Sequence, residues 1–128
     1  MTDLGVRGNV MGPQPIARRA TVPAGIREAA DHFLQALMAG EPAESLTMAA
    51  PAGMREVEEL AAAVPRGIYH RHEIIATARV NQHYYIKARL IGANPEPMVV
   101  QFRLGLSEGN WLVWEAVNLS GGRSGWTR

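Results

Sequence analysis

The stretch “HEIIATARVNQHYYIKARLIG”, residues 72–92, marks the point at which the hydrophobic pattern of the chain changes period. In both halves of the stretch apolar and polar residues alternate, as expected for β-strands that bury one face. The apolar positions are Ile74, Ala76, Ala78, Val80, Tyr84, Ile86, Ala88 and Leu90. Because “NQH” at 81–83 interrupts the alternation as a turn would, the stretch predicts an antiparallel β-hairpin.

Two further strands are predicted after this hairpin. Alternate positions of “MVVQFRLGL”, residues 98–106, are again apolar, and “ANPEP” before it is typical of a loop. “SEGN”, residues 107–110, predicts a tight turn because Gly109 and Asn110 both tolerate positive φ. The last strand is “WLVWEAVNLS”, residues 111–120, which carries large apolar residues on both faces. Four consecutive strands with short connections predict an antiparallel meander.

The residues before the sheet follow a helical pattern. “PAGIREAADHFLQALMAG”, residues 23–40, places its apolar residues on one stripe, with Pro23 at the start and Gly40 past the end. A short helix is predicted between residues 43 and 49, and “MREVEELAAAV”, residues 54–64, predicts a third. Helices followed by an antiparallel sheet with one apolar face predict an α+β fold in which the helices cover that face.

Length and composition limit what the protein can be. The 128 residues suffice for one domain, which we assign to residues 21–120, between a flexible N-terminal arm at 1–20 and a C-terminal tail at 121–128. The absence of cysteine excludes disulfides, thiolate catalysis and cysteine-based zinc sites. No run of 18 apolar residues and no signal-peptide pattern occurs, so we expect a soluble, cytoplasmic protein without a membrane segment.

Two stretches resemble the NTF2-like superfamily. “FLQALMAGEPAE”, residues 33–44, is similar to the end of the first helix in that superfamily, and “EGNWLVWEAVNL”, residues 108–119, is similar to its last strand. The resemblance covers about residues 24–120 and implies a cone in which N-terminal helices pack on a curved antiparallel sheet. The superfamily includes nuclear transport factor 2, ketosteroid isomerases, SnoaL-type polyketide cyclases, limonene-epoxide hydrolases and many domains that only bind, so the fold alone does not specify a function.

The catalytic groups of the resembled enzymes are not found at the matching positions. The isomerases use a carboxylate base in the loop after the short helix, but the matching “MAAPAGM”, residues 48–54, has no Asp, Glu or His. The hydrolases use an Asp-Arg-Asp cluster, but the only aspartates here are Asp3 and Asp31. An enzyme of the isomerase, cyclase or hydrolase kind would therefore need another acid-base group, for which we consider Glu115, with Tyr84 or His32 as a polar helper.

The direction of the Glu115 side chain is left open by the pattern of the last strand. If Leu112, Trp114 and Ala116 face the helices, Glu115 lies on the outer face, where an ion pair with Arg103 becomes possible. If Trp111, Val113 and Val117 face the helices, Glu115 lies inside the cone, where poor solvation would suit a general acid or base.

The outer face of the predicted sheet is basic and contains one aromatic side chain. Its candidate binding residues are Arg79, Tyr85, Lys87, Arg89 and Arg103. This face is interpreted as a homodimer interface, as a solvated surface, or as a surface for anions or single-stranded nucleic acid. The formal net charge of +1 counts against nucleic acid. The resemblance favours the homodimer, because the superfamily commonly dimerises through this face.

The leading hypothesis is therefore a non-catalytic, homodimeric NTF2-like domain that binds a small apolar ligand or a protein partner. The candidate ligand-binding residues are Phe33, Leu37, Phe102, Trp111 and Trp114. No cofactor is indicated. His70 and His72 lie two apart on a predicted strand with Glu73 beside them, but a third convergent ligand is not evident, so no metal site is predicted.

Overall fold

The computed structural model describes residues 23–40, 42–93 and 96–120. The predicted arm, residues 1–20, and the predicted tail, residues 121–128, lie outside the described residues. Three helices come first: α1 (Ala24–Ala39), α2 (Pro42–Leu46) and α3 (Met54–Ala63), the last entered through a 3₁₀ turn (Pro51–Gly53). Within the described residues, no helix is long and apolar enough to cross a membrane.

Helix α1 begins and ends where its sequence predicts. Pro23 precedes the first turn, and Gly40 at the end has φ 74°, a left-handed conformation that glycine adopts without strain. The N–H of Gly40 donates a hydrogen bond to the carbonyl oxygen of Leu37 and closes the helix. The apolar stripe of α1 is buried; its buried residues are Ile26, Ala30, Phe33, Leu34, Ala36 and Leu37.

Four strands follow in chain order and form one sheet: β1 (Tyr69–Val80), β2 (His83–Gly92), β3 (Met98–Ser107) and β4 (Asn110–Asn118). Each strand pairs antiparallel with the next, in the spatial order β1-β2-β3-β4. The predicted α+β fold and the predicted meander are confirmed. We call the face that packs on α1 the inner face and the opposite one the outer face.

The inner face is filled by tightly packed apolar side chains. The ring of Phe33 from α1 lies against that of Phe102 from β3, with centroids 4.8 Å apart and planes tilted by 56°. The sheet residues around this pair are exposed by 1 % or less: Ile86, Ala88, Leu90, Val100, Leu104 and Val113. The space between the helices and the sheet is therefore occupied by the core at these positions.

A β-bulge at Ile75 changes which residues of β1 face outward. Ile74 pairs with Ala88, but the register then shifts, so that Ala78 pairs with Tyr85 and Arg79 with Tyr84. Directly paired residues share a face, so the extra residue reverses the predicted alternation from this point on. The prediction that Arg79 shares the outer row with Lys87, Arg89 and Arg103 is therefore wrong.

A second bulge, at Trp114 in β4, settles the direction of Glu115. Val113 pairs with Leu104 and Glu115 pairs with Arg103, so that Trp114 is the extra residue between them. Val113 thus points inward, as in the alternative that places Glu115 inside the cone. Glu115 itself points outward, as in the alternative that pairs it with Arg103. Without the bulge, Val113 and Glu115 would share a face.

Candidate functional site

An open groove with a volume of about 870 Å³ runs across the outer face of the sheet. It extends from Val80 on β1, past Tyr85 and Arg103, to Val117 on β4, and is closed on the far side by α3. Its central row follows from the register, because Ala78, Tyr85, Arg103 and Glu115 are successive cross-strand partners. We call this feature the outer groove.

Arg103 lies at the centre of the outer groove and is held from two sides. Its Nη2 donates to Oε2 of Glu115 at 2.9 Å, and its Nη1 donates to Nδ1 of His83 at 2.9 Å. Because a guanidinium has only donors, His83 must accept at Nδ1 and carry its proton on Nε2. The guanidinium carbon lies 6.0 Å from the ring centroid of Tyr85, which places a cation beside an aromatic face.

Trp114 and His83 meet over a glycine on the same face. The Trp114 Nε1 donates to the carbonyl oxygen of Gly105 at 3.3 Å, and the Trp114 and His83 ring centroids are 5.7 Å apart. A Cβ on Gly105 would come within 2.7 Å of both His83 Cε1 and Trp114 Nε1. The absence of a side chain at Gly105 therefore allows both rings to lie against the sheet. A glycine inside a strand pattern is a recognisable sign of such a close approach.

Helix α3 supplies an acidic wall along β4. The Glu56 side chain accepts a hydrogen bond at Oε1 from the backbone N–H of Ala116 at 2.9 Å. Glu59, one turn further along α3, also lines the groove, and its Oε2 lies 3.5 Å from Nε of the exposed Arg55. This hydrogen bond satisfies an N–H of the edge strand β4 and joins α3 to the sheet.

Comparison with known proteins informs the fold alone. No protein family model matches the sequence, and no curated protein matches it. Among solved structures, an NTF2-like protein of unknown function from Shewanella baltica OS155 superimposes with a TM-score of 0.59 over 73% of this chain and 89% of that one, at 10% identity. The fold of this chain is NTF2-like.

Two further structures are similar to this NTF2-like fold. A variant of a protein named Rd1NTF2_05 has a TM-score of 0.55 at 12% identity and covers 73% of this chain and 95% of that one. A de novo designed protein with a curved β-sheet has a TM-score of 0.52 at 16% identity and covers 73% of this chain and 97% of that one. Such identities establish the architecture and leave the function to be argued from the side chains.

The three candidate catalytic side chains occupy three different places in the NTF2-like fold. Glu115 is half-exposed on the outer face, where it pairs with Arg103. Tyr84 is on the inner face, edge-on to Trp111 with centroids 6.0 Å apart. His32 is exposed on α1. The enzyme hypothesis needs these groups around one cavity, and the structure does not bring them together.

The candidate ligand-binding residues are also divided. Phe33, Leu37 and Phe102 are each exposed by 1% or less and pack within the core. Trp111 lies on the inner side beside α1, whereas Trp114 is turned to the outer face by the bulge. A ligand that bound to Phe33, Leu37 and Phe102 would have to displace core side chains.

The remaining candidates of the outer face and of β1 have local partners. Nε of Arg89 lies 3.7 Å from Oε1 of its cross-strand partner Glu73. Lys87, two residues before Arg89 on the same face of β2, pairs with Gln101 in the sheet. His72 makes a contact that sequence reasoning missed, since its Nε2 is 3.0 Å from Oδ1 of Asp31 and so links β1 to α1. Within residues 23–40, 42–93 and 96–120, no three His, Asp or Glu side chains are grouped as around a metal ion.

Replacing Glu115 by glutamine is expected to change the free energy of unfolding by less than about 1 kcal/mol, because half-exposed ion pairs contribute little. The Glu115 side chain is 50% exposed, and the glutamine oxygen can still accept a hydrogen bond from Arg103. Urea unfolding of both proteins measures the effect. A loss of several kcal/mol would contradict the solvated placement of this side chain.

Proposed function

We propose that the protein is a non-catalytic NTF2-like domain that forms a homodimer through the outer groove. The observation that carries the proposal is the make-up of the groove, which combines exposed apolar side chains with charges of both signs. Val80 is 50% exposed and Val117 is 38% exposed, on opposite sides of the Arg103–Glu115 pair. Arginine and tyrosine are enriched in the cores of protein–protein interfaces, and exposed apolar side chains around them add apolar area that a partner can bury.

The distribution of charge across the outer face supports a second copy of the chain as the partner. Acidic side chains from α3 and β4 lie at one side, with Glu56, Glu59 and Glu115. Cationic side chains lie further across, with Arg103 on β3 and Lys87 on β2. A two-fold axis through the middle of the face would place the acidic side of each copy opposite the cationic side of the other. A two-fold interface must be self-complementary in this way.

The packing of the inner face supports a binding role over catalysis. Phe33, Phe102 and Leu104 are buried core residues that fill the space between α1 and the sheet. Arg103, His83 and Glu115 converge on the outer surface. The surface available for recognition is therefore the outer one.

The experiment is sedimentation velocity on the wild-type protein and on Val117→Asp. We expect a dimer for the wild type at micromolar concentration and a monomer for the variant. Two-fold symmetry buries the new carboxylate twice, and at about 2 kcal/mol for each desolvated polar group the dissociation constant rises roughly a thousand-fold.

The matched control is Leu106→Asp, which introduces the same charge at an exposed apolar residue outside the groove. Leu106 is 56% exposed and does not line the groove. This variant is expected to remain dimeric, with both variants folded by circular dichroism. A monomeric wild-type protein at micromolar concentration, or equal weakening by both variants, would refute the proposal.

A further inference from the structure

A second depression lies at the end of the β1–β2 hairpin, beside the outer groove, and has a volume of about 700 Å³. Its polar lining comes from Arg79, Asn81, Gln82, His83, Tyr85 and Arg103. Two of these side chains are guanidinium cations, and the lining includes no carboxylate among the described residues. We call this depression the hairpin-end pocket.

Arg79 reaches the pocket from the hairpin turn. Its register partner is Tyr84, but its Nε donates to the carbonyl oxygen of Asn81 at 3.1 Å, which holds the side chain at the hairpin end. Asn81 has φ 59°, a left-handed conformation that asparagine tolerates in tight turns. This bond occupies one donor of Arg79, so the two Nη groups are available for a ligand.

Arg103 is held in a fixed orientation at the other wall. The bonds to His83 and Glu115 use two of its five N–H donors and fix the plane of the guanidinium. Glu115 lines the outer groove and not this pocket, whereas Arg103 lines both. An arginine oriented in advance loses less conformational entropy when it binds an oxyanion.

The wall also includes one aromatic and one apolar side chain. Tyr85 and Val80 both line the pocket next to the two arginines. A ligand that fits this lining combines an anionic head with a small apolar body. Guanidinium groups bind phosphate oxygens through paired, charge-assisted hydrogen bonds, and a phosphate monoester near neutral pH carries more negative charge than a carboxylate.

We propose that the hairpin-end pocket binds a small phosphate monoester, with Arg79 and Arg103 on the phosphate and Tyr85 against its organic group. This site goes beyond dimerisation. Val80, Tyr85 and Arg103 line both this pocket and the outer groove, but Arg79 and His83 line the pocket and not the groove, and Val117 lines the groove and not the pocket. The two proposals can therefore be tested by different variants.

The test is a titration of the 128-residue protein with phenyl phosphate, followed by two-dimensional NMR. We expect saturable binding in the millimolar range or tighter, centred on residues 79–85 and weakened by salt because the contacts are ionic. Inorganic phosphate and benzoate are expected to bind more weakly, and phenol not to saturate. Benzoate that bound as tightly as phenyl phosphate would overturn the assignment to a phosphate.

Arg79→Met and Arg103→Met are each expected to lower the affinity for phenyl phosphate at least about ten-fold, since each removes a charge-assisted hydrogen-bonding group. Arg55→Met, on the exposed face of α3, is the matched control and is expected to bind as the wild type does. Arg79 is exposed, so its substitution tests the site even if Arg103→Met fails to fold. Unchanged affinity in Arg79→Met would refute the proposal.

The same variants separate this site from the dimer. Arg79→Met is expected to lose phenyl phosphate and to remain dimeric, and Val117→Asp is expected to bind phenyl phosphate as a monomer. Absence of phenyl phosphate binding in both the wild type and Val117→Asp would refute the pocket and leave the dimer unaffected.

Discussion

Replacing Phe33 by alanine is expected to lower the free energy of unfolding by about 3–5 kcal/mol, the range for truncating a buried aromatic residue. Phe33 has no exposed surface and lies in the middle of α1 against the ring of Phe102. The substitution removes the apolar burial, leaves a cavity, and breaks an aromatic pair that contributes about 1 kcal/mol in addition to its area. A loss of this size is a large share of the stability of a single domain.

Urea unfolding of Phe33→Ala measures the loss, and His32→Ala is the matched control. His32 is the next residue of the same helix and is exposed, so its substitution is expected to change stability by less than about 0.5 kcal/mol. The loss of stability in Phe33→Leu should fall between the losses in Phe33→Ala and His32→Ala. If Phe33→Ala cost no more than His32→Ala, the core would be packed loosely enough around Phe33 to admit an apolar ligand.

The architecture was predictable because it rests on repeated local patterns. The stripe of α1 contains six buried residues at helical spacing, so a single misplaced residue would not hide it. The four strands were predictable for the same reason, since alternation over several residues and short turns together restrict the topology. Gly40 marked a helix end because its left-handed conformation disfavours other residues.

The faces of β1 and β4 were not predictable in the same way, because each contains a bulge. One extra residue, Ile75 or Trp114, reverses the facing of every residue after it. In “WLVWEAVN”, residues 111–118, the odd-numbered and the even-numbered positions both contain large apolar residues. Either set could face the core, so the sequence is compatible with either direction of Glu115. The Arg103–Glu115 pair was one of the two alternatives, and only the register decides between them.

The parts of the site that were missed depend on tertiary placement. Glu56 is ordinary in sequence, as a glutamate on the polar side of a helix, and gains its role only because α3 lies along β4. His83 was considered only as part of a turn, although it orients Arg103. Gly105 offered a signal, because a glycine within an alternating strand indicates a close approach of other atoms.

Replacing Gly53 by alanine is expected to lower the free energy of unfolding by about 2–3 kcal/mol, in the upper part of the range for overpacking. Gly53 ends the 3₁₀ turn that leads into α3 and lies directly on the bulge of β4. A Cβ there would come within 2.7 Å of the carbonyl oxygens of Val113 and Trp114. These are backbone atoms of the sheet, so the helix must move away from the strand.

The displacement should weaken two of the hydrogen bonds that join this region to β4. Val113 accepts a hydrogen bond from the N–H of Ala50 at 2.8 Å, and Glu56 accepts one from the N–H of Ala116 at 2.9 Å. Hydrogen exchange at the amide of Ala116 therefore reports the movement locally, and we expect it to accelerate in Gly53→Ala by more than the loss of global stability explains.

Gly25→Ala is the matched control for Gly53→Ala. A Cβ on Gly25 would meet only the side chain of Trp111, at 3.3 Å, within a helix where alanine is favoured, so the expected change is below about 1 kcal/mol. Because α3 forms the acidic wall of the outer groove, Gly53→Ala should also weaken self-association. Phe33→Ala, by contrast, should lower stability without changing self-association. Equal dimer dissociation constants for Gly53→Ala and Gly25→Ala would show that the acidic wall takes no part in the interface.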